Sequence, residues 1–164
     1  MPDDVRRTAV NPVLPGCYPD PSICRVGDDF YLVTSTFEYF PGLPIFHSKD
    51  LVHWRQLGHA IERAEQLDLS GVPSSGGLFA ATLRHHDGVF YLVNTLVHAG
   101  EAVGGNFLIT AQDPAGPWSD PVWLADAEGI DPSLFFDEDG RAWYVGTRPS
   151  RNPCLLYTSP SPRD

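Results

Sequence analysis

The chain has 164 residues, 42% of them hydrophobic, and a formal net charge of −10, which fits one compact domain with a core. The negative charge and the lack of a basic stripe weigh against a nucleic-acid partner. No apolar run is long enough to cross a membrane or to form a signal peptide, so we predict a cytoplasmic protein with residues 1–10 as a short leader. A reducing compartment also fits the three cysteines, which lack metal-site spacing and an even count: Cys17, Cys24 and Cys154.

The first informative stretch is Tyr18-Pro19-Asp20-Pro21-Ser22, which comes directly before a strand-like run. Each proline fixes its own φ and disfavours the helical region for the residue before it. We therefore expect extended backbone at Tyr18 and Asp20, with the Asp20 carboxylate held in one direction. The alternative is an ordinary turn aspartate that caps nearby amides.

A repeated pattern follows, in which a small polar turn precedes aromatic residues that open an apolar strand. Its three copies predict β-hairpins, and Asp-Gly suits the positive φ values of a type I′ turn. The copies run over residues 27–33, 86–93 and 138–145.

A second repeated element ends in a tryptophan and precedes further strand-like residues. It occurs at residues 48–54 and 111–118. The combined period, on the order of 40 to 50 residues, is typical of propeller blades. We predict an all-β propeller, with a sandwich of short strands as the alternative. Two blades and the start of a third cannot close a ring, so we expect the chain to be a fragment.

The last residues, 154–164, show no strand periodicity. One back-translation of this tail resembles a transposon-type sequencing adapter read as coding DNA. We therefore expect a native propeller segment over residues 11–153 and a non-native tail over residues 154–164. The alternative is an ordinary disordered tail.

Several motifs together resemble glycoside hydrolase family 43, and in particular its β-xylosidases and α-L-arabinofuranosidases. The resemblance covers about residues 11–148. The motifs that carry it are Asn11 to Ser22, Thr34 to Gly42, His47 to Leu51 and Gly129 to Phe135.

The resemblance implies a five-bladed β-propeller that hydrolyses glycosides with inversion. Asp20 matches the general base, and Asp131 matches the aspartate that orients the general acid and raises its pKa. The acid is a glutamate of a later blade, and no residue of this chain matches it. The resemblance also implies substrate contacts for Phe37 and Phe79, although Ala81-Thr82 departs from the Pro and Asp common in relatives. Core packing is the alternative for both aromatic residues.

The residues themselves support a joint role for the two aspartates. Asp-Pro-Ser opens a strand at Asp20 and again at Asp131, and equivalent inner strands of a propeller converge on its axis. For Asp131 a turn role before Pro132 is the alternative.

The histidines lack metal-ligand spacing, so we expect no cofactor. The resemblance allows a structural divalent cation such as calcium in the full-length protein, with ligands in later blades. It also allows the full-length protein to form a homo-oligomer. The expected partner is a xylo-oligosaccharide or arabinoxylan-derived substrate.

Three function hypotheses follow: an exo-glycosidase acting on terminal β-1,4-xylosyl or α-L-arabinofuranosyl residues, a non-catalytic carbohydrate-binding propeller, and a purely structural propeller. The first is favoured because only it needs both aspartates. Without the acid, the fragment itself is expected to be inactive.

Overall fold

The computed structural model describes residues 9–98 and 101–147. The predicted all-β class is confirmed, since the regular secondary structure of these residues consists of strands. Within the same residues, no helix has the length and hydropathy that crossing a membrane requires. The strands are β1 (Ser22–Val26), β2 (Asp29–Val33), β3 (Gly42–Ser48), β4 (Arg55–Ile61), β5 (Gly77–Leu78), β6 (Thr82–His86), β7 (Val89–His98), β8 (Glu101–Ala111), β9 (Val122–Trp123), β10 (Ile130–Phe136) and β11 (Ala142–Thr147).

The strands form three antiparallel sheets that follow one another along the chain. The first blade has the order β1-β2-β3-β4. In the second blade β7 pairs with β5 and β6 on one side and with β8 on the other, and β9 lies at the outer edge. The third hairpin consists of β10 and β11. This arrangement confirms two blades and the start of a third.

The three hairpins differ in their turns. Asp87-Gly88 has positive φ at both residues, 47° and 77°, as a type I′ turn requires. The type I′ prediction is wrong for Asp139-Gly140, where only Gly140 has positive φ (77°). The backbone N–H of Asp137 donates to the Arg141 carbonyl at 3.0 Å, which leaves three residues in the loop instead of two.

In both predicted tryptophan corners, the indole N–H donates a hydrogen bond to a backbone carbonyl. The Trp54 ring N–H donates to the Leu51 carbonyl at 3.1 Å, and the Trp118 ring N–H donates to the Pro114 carbonyl at 3.3 Å. Each bond fixes the tight turn between an outer strand and the residues that follow it.

The hydrophobic core lies between the first and second blades. Tyr31 of β2 meets Phe90 of β7 edge to face, with ring centroids 5.1 Å apart. Burial raises the pKa of the Tyr31 hydroxyl. The fully buried apolar side chains of this core include Val33, Leu43, Ile45, Ile61, Leu78, Leu83, Leu92, Phe107 and Ile109.

The third hairpin packs one face on the second blade and leaves the other in solvent. Phe136 stacks on His86 at 4.5 Å. The opposite face carries Phe135, Trp143 and Val145, which are 62%, 50% and 65% exposed. Such a contiguous apolar face is uncommon on the surface of a complete monomeric protein.

Candidate active site

The two Asp-Pro-Ser segments occupy equivalent positions in their sheets. Ser22 pairs with Val33 across β1 and β2, and Ser133 pairs with Val145 across β10 and β11. Each aspartate lies two residues before its serine and is exposed. Asp20 and Asp131 therefore occupy equivalent backbone positions in their sheets, as predicted.

The expectation of extended backbone at Asp20 is wrong. Asp20 has a φ of 53° and Asp131 a φ of 55°, so both lie in the left-handed region. Aspartate enters this region more readily than most residues, and proline next in the chain disfavours the right-handed helical alternative. Such strained conformations persist where the surrounding structure fixes them, and they cluster at functional sites.

Strand β6 lies between the two segments. The Leu83 N–H donates to the Ser22 hydroxyl oxygen at 3.2 Å. On the other side, Arg84 donates to the Leu134 carbonyl at 2.9 Å and to the Ser133 hydroxyl at 3.3 Å. One strand of the second blade thus contacts the serines of both Asp-Pro-Ser segments.

The strands β1, β6 and β10 run in the same direction. The start of β1 meets the start of β6 through Ser22 and Leu83, and two residues further along each strand the His85 backbone N–H donates to Cys24. The end of β6 meets the end of β10 through the stacked rings of His86 and Phe136. Asp20 and Asp131 therefore enter the sheets at the same end of the molecule.

The second blade lacks an acid at the corresponding position. Thr82 pairs with Val93 as Ser22 pairs with Val33, which makes Ala80 the equivalent of Asp20. Of these three equivalent positions, only those of the first blade and the third hairpin carry a carboxylate.

Ser35 contacts Asp20 directly. Its hydroxyl donates a hydrogen bond to Oδ2 of Asp20, and its backbone N–H donates to the Pro19 carbonyl at 3.1 Å. Ser35 is buried, whereas the aspartate is exposed. The sequence pattern does not predict this contact, because the two residues are fifteen positions apart.

The two predicted substrate-contact aromatics lie against each other. The rings of Phe37 and Phe79 have centroids 5.7 Å apart and planes inclined by 75°, an edge-to-face contact. Both side chains are partly buried. The structure therefore brings them together and leaves part of each ring accessible.

A close backbone contact positions this aromatic pair. Phe37 and Leu78 exchange two backbone hydrogen bonds of 2.9 Å each. At Gly77, with a φ of 91°, an added Cβ would lie 2.2 Å from the Phe37 carbonyl oxygen. Only glycine permits this approach between the blades.

Glu38 fixes the loop beside Phe37. Its carboxylate accepts a hydrogen bond from the Ser75 N–H at 3.1 Å. Its pKa is lowered, mainly by a hydrogen bond from its own backbone N–H and further by that of Ser75. The ionised carboxylate thus ties the residues after Phe37 to the loop before Gly77.

Two buried asparagines of the second blade hold the polypeptide near the candidate residues. The Asn94 amide donates to the Phe79 carbonyl at 2.6 Å. The Asn106 amide donates to the carbonyls of Ala127 and Gly129 at 2.7 and 3.0 Å. Gly129 lies two residues before Asp131, so Asn106 fixes the chain that leads to it. A polar residue within an apolar strand is the only sequence signal for these roles.

Three of the histidines, His47, His53 and His86, each pair with one aspartate. His47 lies 2.5 Å from Asp29, whose carboxylate also meets Lys49 at 2.7 Å. These partners lie at the end of the first blade away from Asp20. Within the described ranges, no three His, Cys, Asp or Glu side chains are grouped to hold a metal ion. The cation expected in later blades stays a prediction.

Comparison with family models gives one match. The model described as "Glycosyl hydrolases family 43" matches residues 9–159.

Curated relatives match with high identity. The chain is 60% identical over 144 residues to "Xylosidase/arabinosidase" of Butyrivibrio fibrisolvens, covering 87% of this chain and 27% of that protein. It is 56% identical over 141 residues to "Non-reducing end alpha-L-arabinofuranosidase BoGH43B" of Bacteroides ovatus, covering 85% and 26%. The chain spans about a quarter of the length of these relatives.

Solved structures agree with the fold. The Bacteroides ovatus structure "Xyloglucan PUL GH43B" superposes with a TM-score of 0.80 at 55% identity, covering 87% of this chain and 28% of that one. The xylan beta-1,4-xylosidase of Bacillus halodurans C-125 gives a TM-score of 0.77 at 52% identity, covering 84% and 27%.

Proposed function

We propose, given that this chain belongs to glycosyl hydrolases family 43, that the whole protein is an inverting exo-glycosidase. Its expected substrates are xylan-derived oligosaccharides with terminal β-1,4-xylosyl residues, and terminal α-L-arabinofuranosyl residues form the second substrate class. The printed names of the relatives, a xylosidase/arabinosidase and an α-L-arabinofuranosidase, support both classes. The fold is the corresponding part of a five-bladed propeller.

One observation carries the proposal: two aspartates in left-handed conformation at equivalent starts of parallel inner strands. Asp20 and Asp131 have φ values of 53° and 55°, and the serines that follow them, Ser22 and Ser133, both contact β6. A purely structural propeller does not require two strained, exposed carboxylates at one end. Their shared placement favours a joint chemical role.

The chemistry assigns the two carboxylates different tasks. Inversion needs a base that activates water on one face of the sugar and an acid that protonates the leaving oxygen on the other. We assign the base to Asp20. The negative charge of Asp131 would disfavour ionisation of the acid and keep its proton available. The acid itself is assigned to a glutamate in the part of the whole protein beyond this chain.

The aromatic pair provides the expected surface for a sugar. Sugar rings present C–H faces that stack on aromatic side chains, together with hydroxyls that need polar partners. Phe37 and Phe79 are partly exposed and rigidly held by the backbone contact at Leu78. We propose that they contact the terminal sugar.

The test is turnover of aryl β-D-xylosides and aryl α-L-arabinofuranosides by the whole protein, with NMR detection of the first-formed anomer. Asp20→Ala should lower kcat by a factor of about 10² to 10⁴ on every substrate, because a general base contributes that much. Asp28→Ala is the matched control, since Asp28 is an exposed aspartate in the turn at the other end of β1.

Two results would contradict the proposal. Retention of anomeric configuration would remove the inverting mechanism, and a fully active Asp20→Ala variant would remove Asp20 from catalysis. An inactive wild type that still binds xylo-oligosaccharides would instead favour the non-catalytic carbohydrate-binding propeller.

A further inference from the structure

Ser35 holds the Asp20 side chain from a buried position. It follows β2 and is 1% exposed, and its hydroxyl donates to Oδ2 of Asp20. The same hydroxyl lies 3.2 Å from the Pro19 carbonyl oxygen. A serine hydroxyl has one hydrogen, and a carboxylate is a stronger acceptor than an amide carbonyl, so we assign that hydrogen to Asp20.

The segment that carries Ser35 is fixed to both blades. The N–H groups of Thr36 and Phe37 donate to the Leu78 carbonyl at 3.3 and 2.9 Å. On the other side, the Ser35 N–H donates to the Pro19 carbonyl at 3.1 Å. The donor that reaches Asp20 therefore cannot shift without breaking contacts to two separate parts of the chain.

We propose that Ser35 is a positioning residue for the general base, which fixes the Asp20 carboxylate in the direction of the attacking water. This inference rests on the proposed function. Asp20 is exposed, and without a partner its carboxylate would rotate freely. A displacement of about 1 Å in a reacting group costs about 10²-fold in rate, so a fixed donor has a direct kinetic effect.

The second blade shows that its fold does not require this contact. Thr95 lies two residues after Val93, as Ser35 lies two residues after Val33, and the two valines are equivalent by register. The Thr95 hydroxyl donates to Asn106 at 2.5 Å and not to the segment that enters its blade. The hydrogen bond to an entering aspartate is specific to the first blade.

The experiment uses the whole protein with Ser35→Ala, Ser35→Thr and Ser35→Cys, assayed on nitrophenyl β-D-xyloside and on xylobiose. Ser48→Ala is the matched control, because Ser48 is also buried, lies in the same blade and donates to an aspartate, Asp50, at 3.0 Å. Thermal unfolding of every variant measures the structural cost separately from the rate.

We expect Ser35→Ala to lower kcat by about 10- to 100-fold, which matches the loss of a hydrogen bond to a charged group. KM should change by less than about twofold, because sugar binding does not involve this hydroxyl. The loss should be equal on both substrates, since water activation is needed whatever the leaving group. Ser35→Thr should restore most of the rate, and Ser35→Cys, with a weaker donor, should fall between Ala and Thr.

A Ser35→Ala variant that matches Ser48→Ala in both kcat and unfolding temperature overturns the inference. So does a series in which Thr and Cys at position 35 are as slow as Ala although all three unfold at the wild-type temperature. If Asp20→Ala is inactive while Ser35→Ala is not, the proposed function stands and only the positioning role fails. An inactive wild type overturns both.

Discussion

The two Asp-Pro-Ser segments share a backbone conformation but are held in different ways. Asp20 is held through its side chain, by the Ser35 hydroxyl. Asp131 is held through the main chain before it, where Asn106 binds the carbonyls of Ala127 and Gly129. Among residues 9–98 and 105–147, no side chain or N–H donates to the Asp131 carboxylate.

This difference fits two different tasks. A general base must keep one geometry toward water, so a hydrogen bond to its carboxylate is useful. A carboxylate that acts through its charge on a neighbouring acid needs a fixed position but not a fixed rotation, because the interaction between charges depends mainly on distance. Anchoring through the side chain therefore suits the base role proposed for Asp20, and anchoring through the main chain suits the charge role proposed for Asp131.

The largest effect is expected when residues 1–164 are expressed alone, so that both aspartates are present without the rest of the protein. We expect no detectable hydrolysis of aryl β-xylosides, because the proposed function assigns the general acid to a later blade and general acids contribute factors of about 10² to 10⁴. We also expect poor solubility, since the third hairpin exposes Phe135, Trp143 and Val145. The measurements are an aryl xyloside assay and size-exclusion chromatography. A soluble, active fragment would refute the assignment of the acid to another part of the protein.

The next effect concerns Asp131. In the whole protein, Asp131→Asn removes a negative charge near the proposed acid, which makes that acid easier to ionise. The alkaline limb of the kcat/KM profile should move to lower pH by about one unit, with a rate loss of about tenfold near neutrality. Asp126→Asn, at an exposed acid earlier in the same connection, is the control. An unchanged alkaline limb would contradict the tuning role.

A smaller effect is expected from the anchor of Asp131. Asn106→Ala leaves the carbonyls of Ala127 and Gly129 and the Thr95 hydroxyl without their partner. Unpaired buried groups cost about 1 to 3 kcal/mol, so the unfolding temperature should fall clearly. We expect the pH profile to move in the same direction as for Asp131→Asn but less far. Gln112→Ala, which removes an exposed amide, should change neither quantity.

The smallest effect concerns a second Ser–Asp pair in the first blade. The Asp50 carboxylate accepts bonds from the His53 N–H at 2.8 Å, from the Val52 N–H at 2.9 Å and from Ser48. These bonds, with that of the His53 backbone first, hold the pKa of Asp50 far below its ordinary value. Asp50→Asn should therefore lower stability at neutral pH without changing kcat.

The pH dependence of this effect has a definite sign. A lowered folded-state pKa stabilises fully above the unfolded value of about 3.9, and the stabilisation disappears as the pH falls through the folded value. The difference in unfolding temperature between wild type and Asp50→Asn should stay constant from neutral pH to about 5 and shrink below about 4. A difference that persists at lower pH would show that lost packing, and not charge, is responsible.

The repeat made the sheets predictable, because turn residues and apolar alternation are local signals. Asp87-Gly88 forms the expected type I′ turn, and the serines of the two Asp-Pro-Ser segments lie at equivalent register in β1 and β10. The positive φ of Asp20 was not predicted, because the rule for residues before proline describes a preference and tertiary contacts override it.

The anchors of the site were also not predicted, for a different reason. Ser35 and Asp20 are fifteen residues apart, and Asn106 and Gly129 are twenty-three apart. The pairing of Phe37 with Leu78 likewise joins two blades. Such contacts depend on how sheets pack, which local residue patterns do not encode. The predicted boundary at residue 153 lies outside the described residues.

The apolar outer face of the third hairpin also matters during synthesis. In a five-bladed ring this face meets the next blade, but translation adds that blade later, at about 5 to 20 residues per second. Phe135, Trp143 and Val145 therefore stay uncovered on the ribosome for several seconds while the next sheet emerges. The yield of folded whole protein should then depend on translation speed over the segment that encodes the next blade and on chaperones that bind exposed strands in that interval.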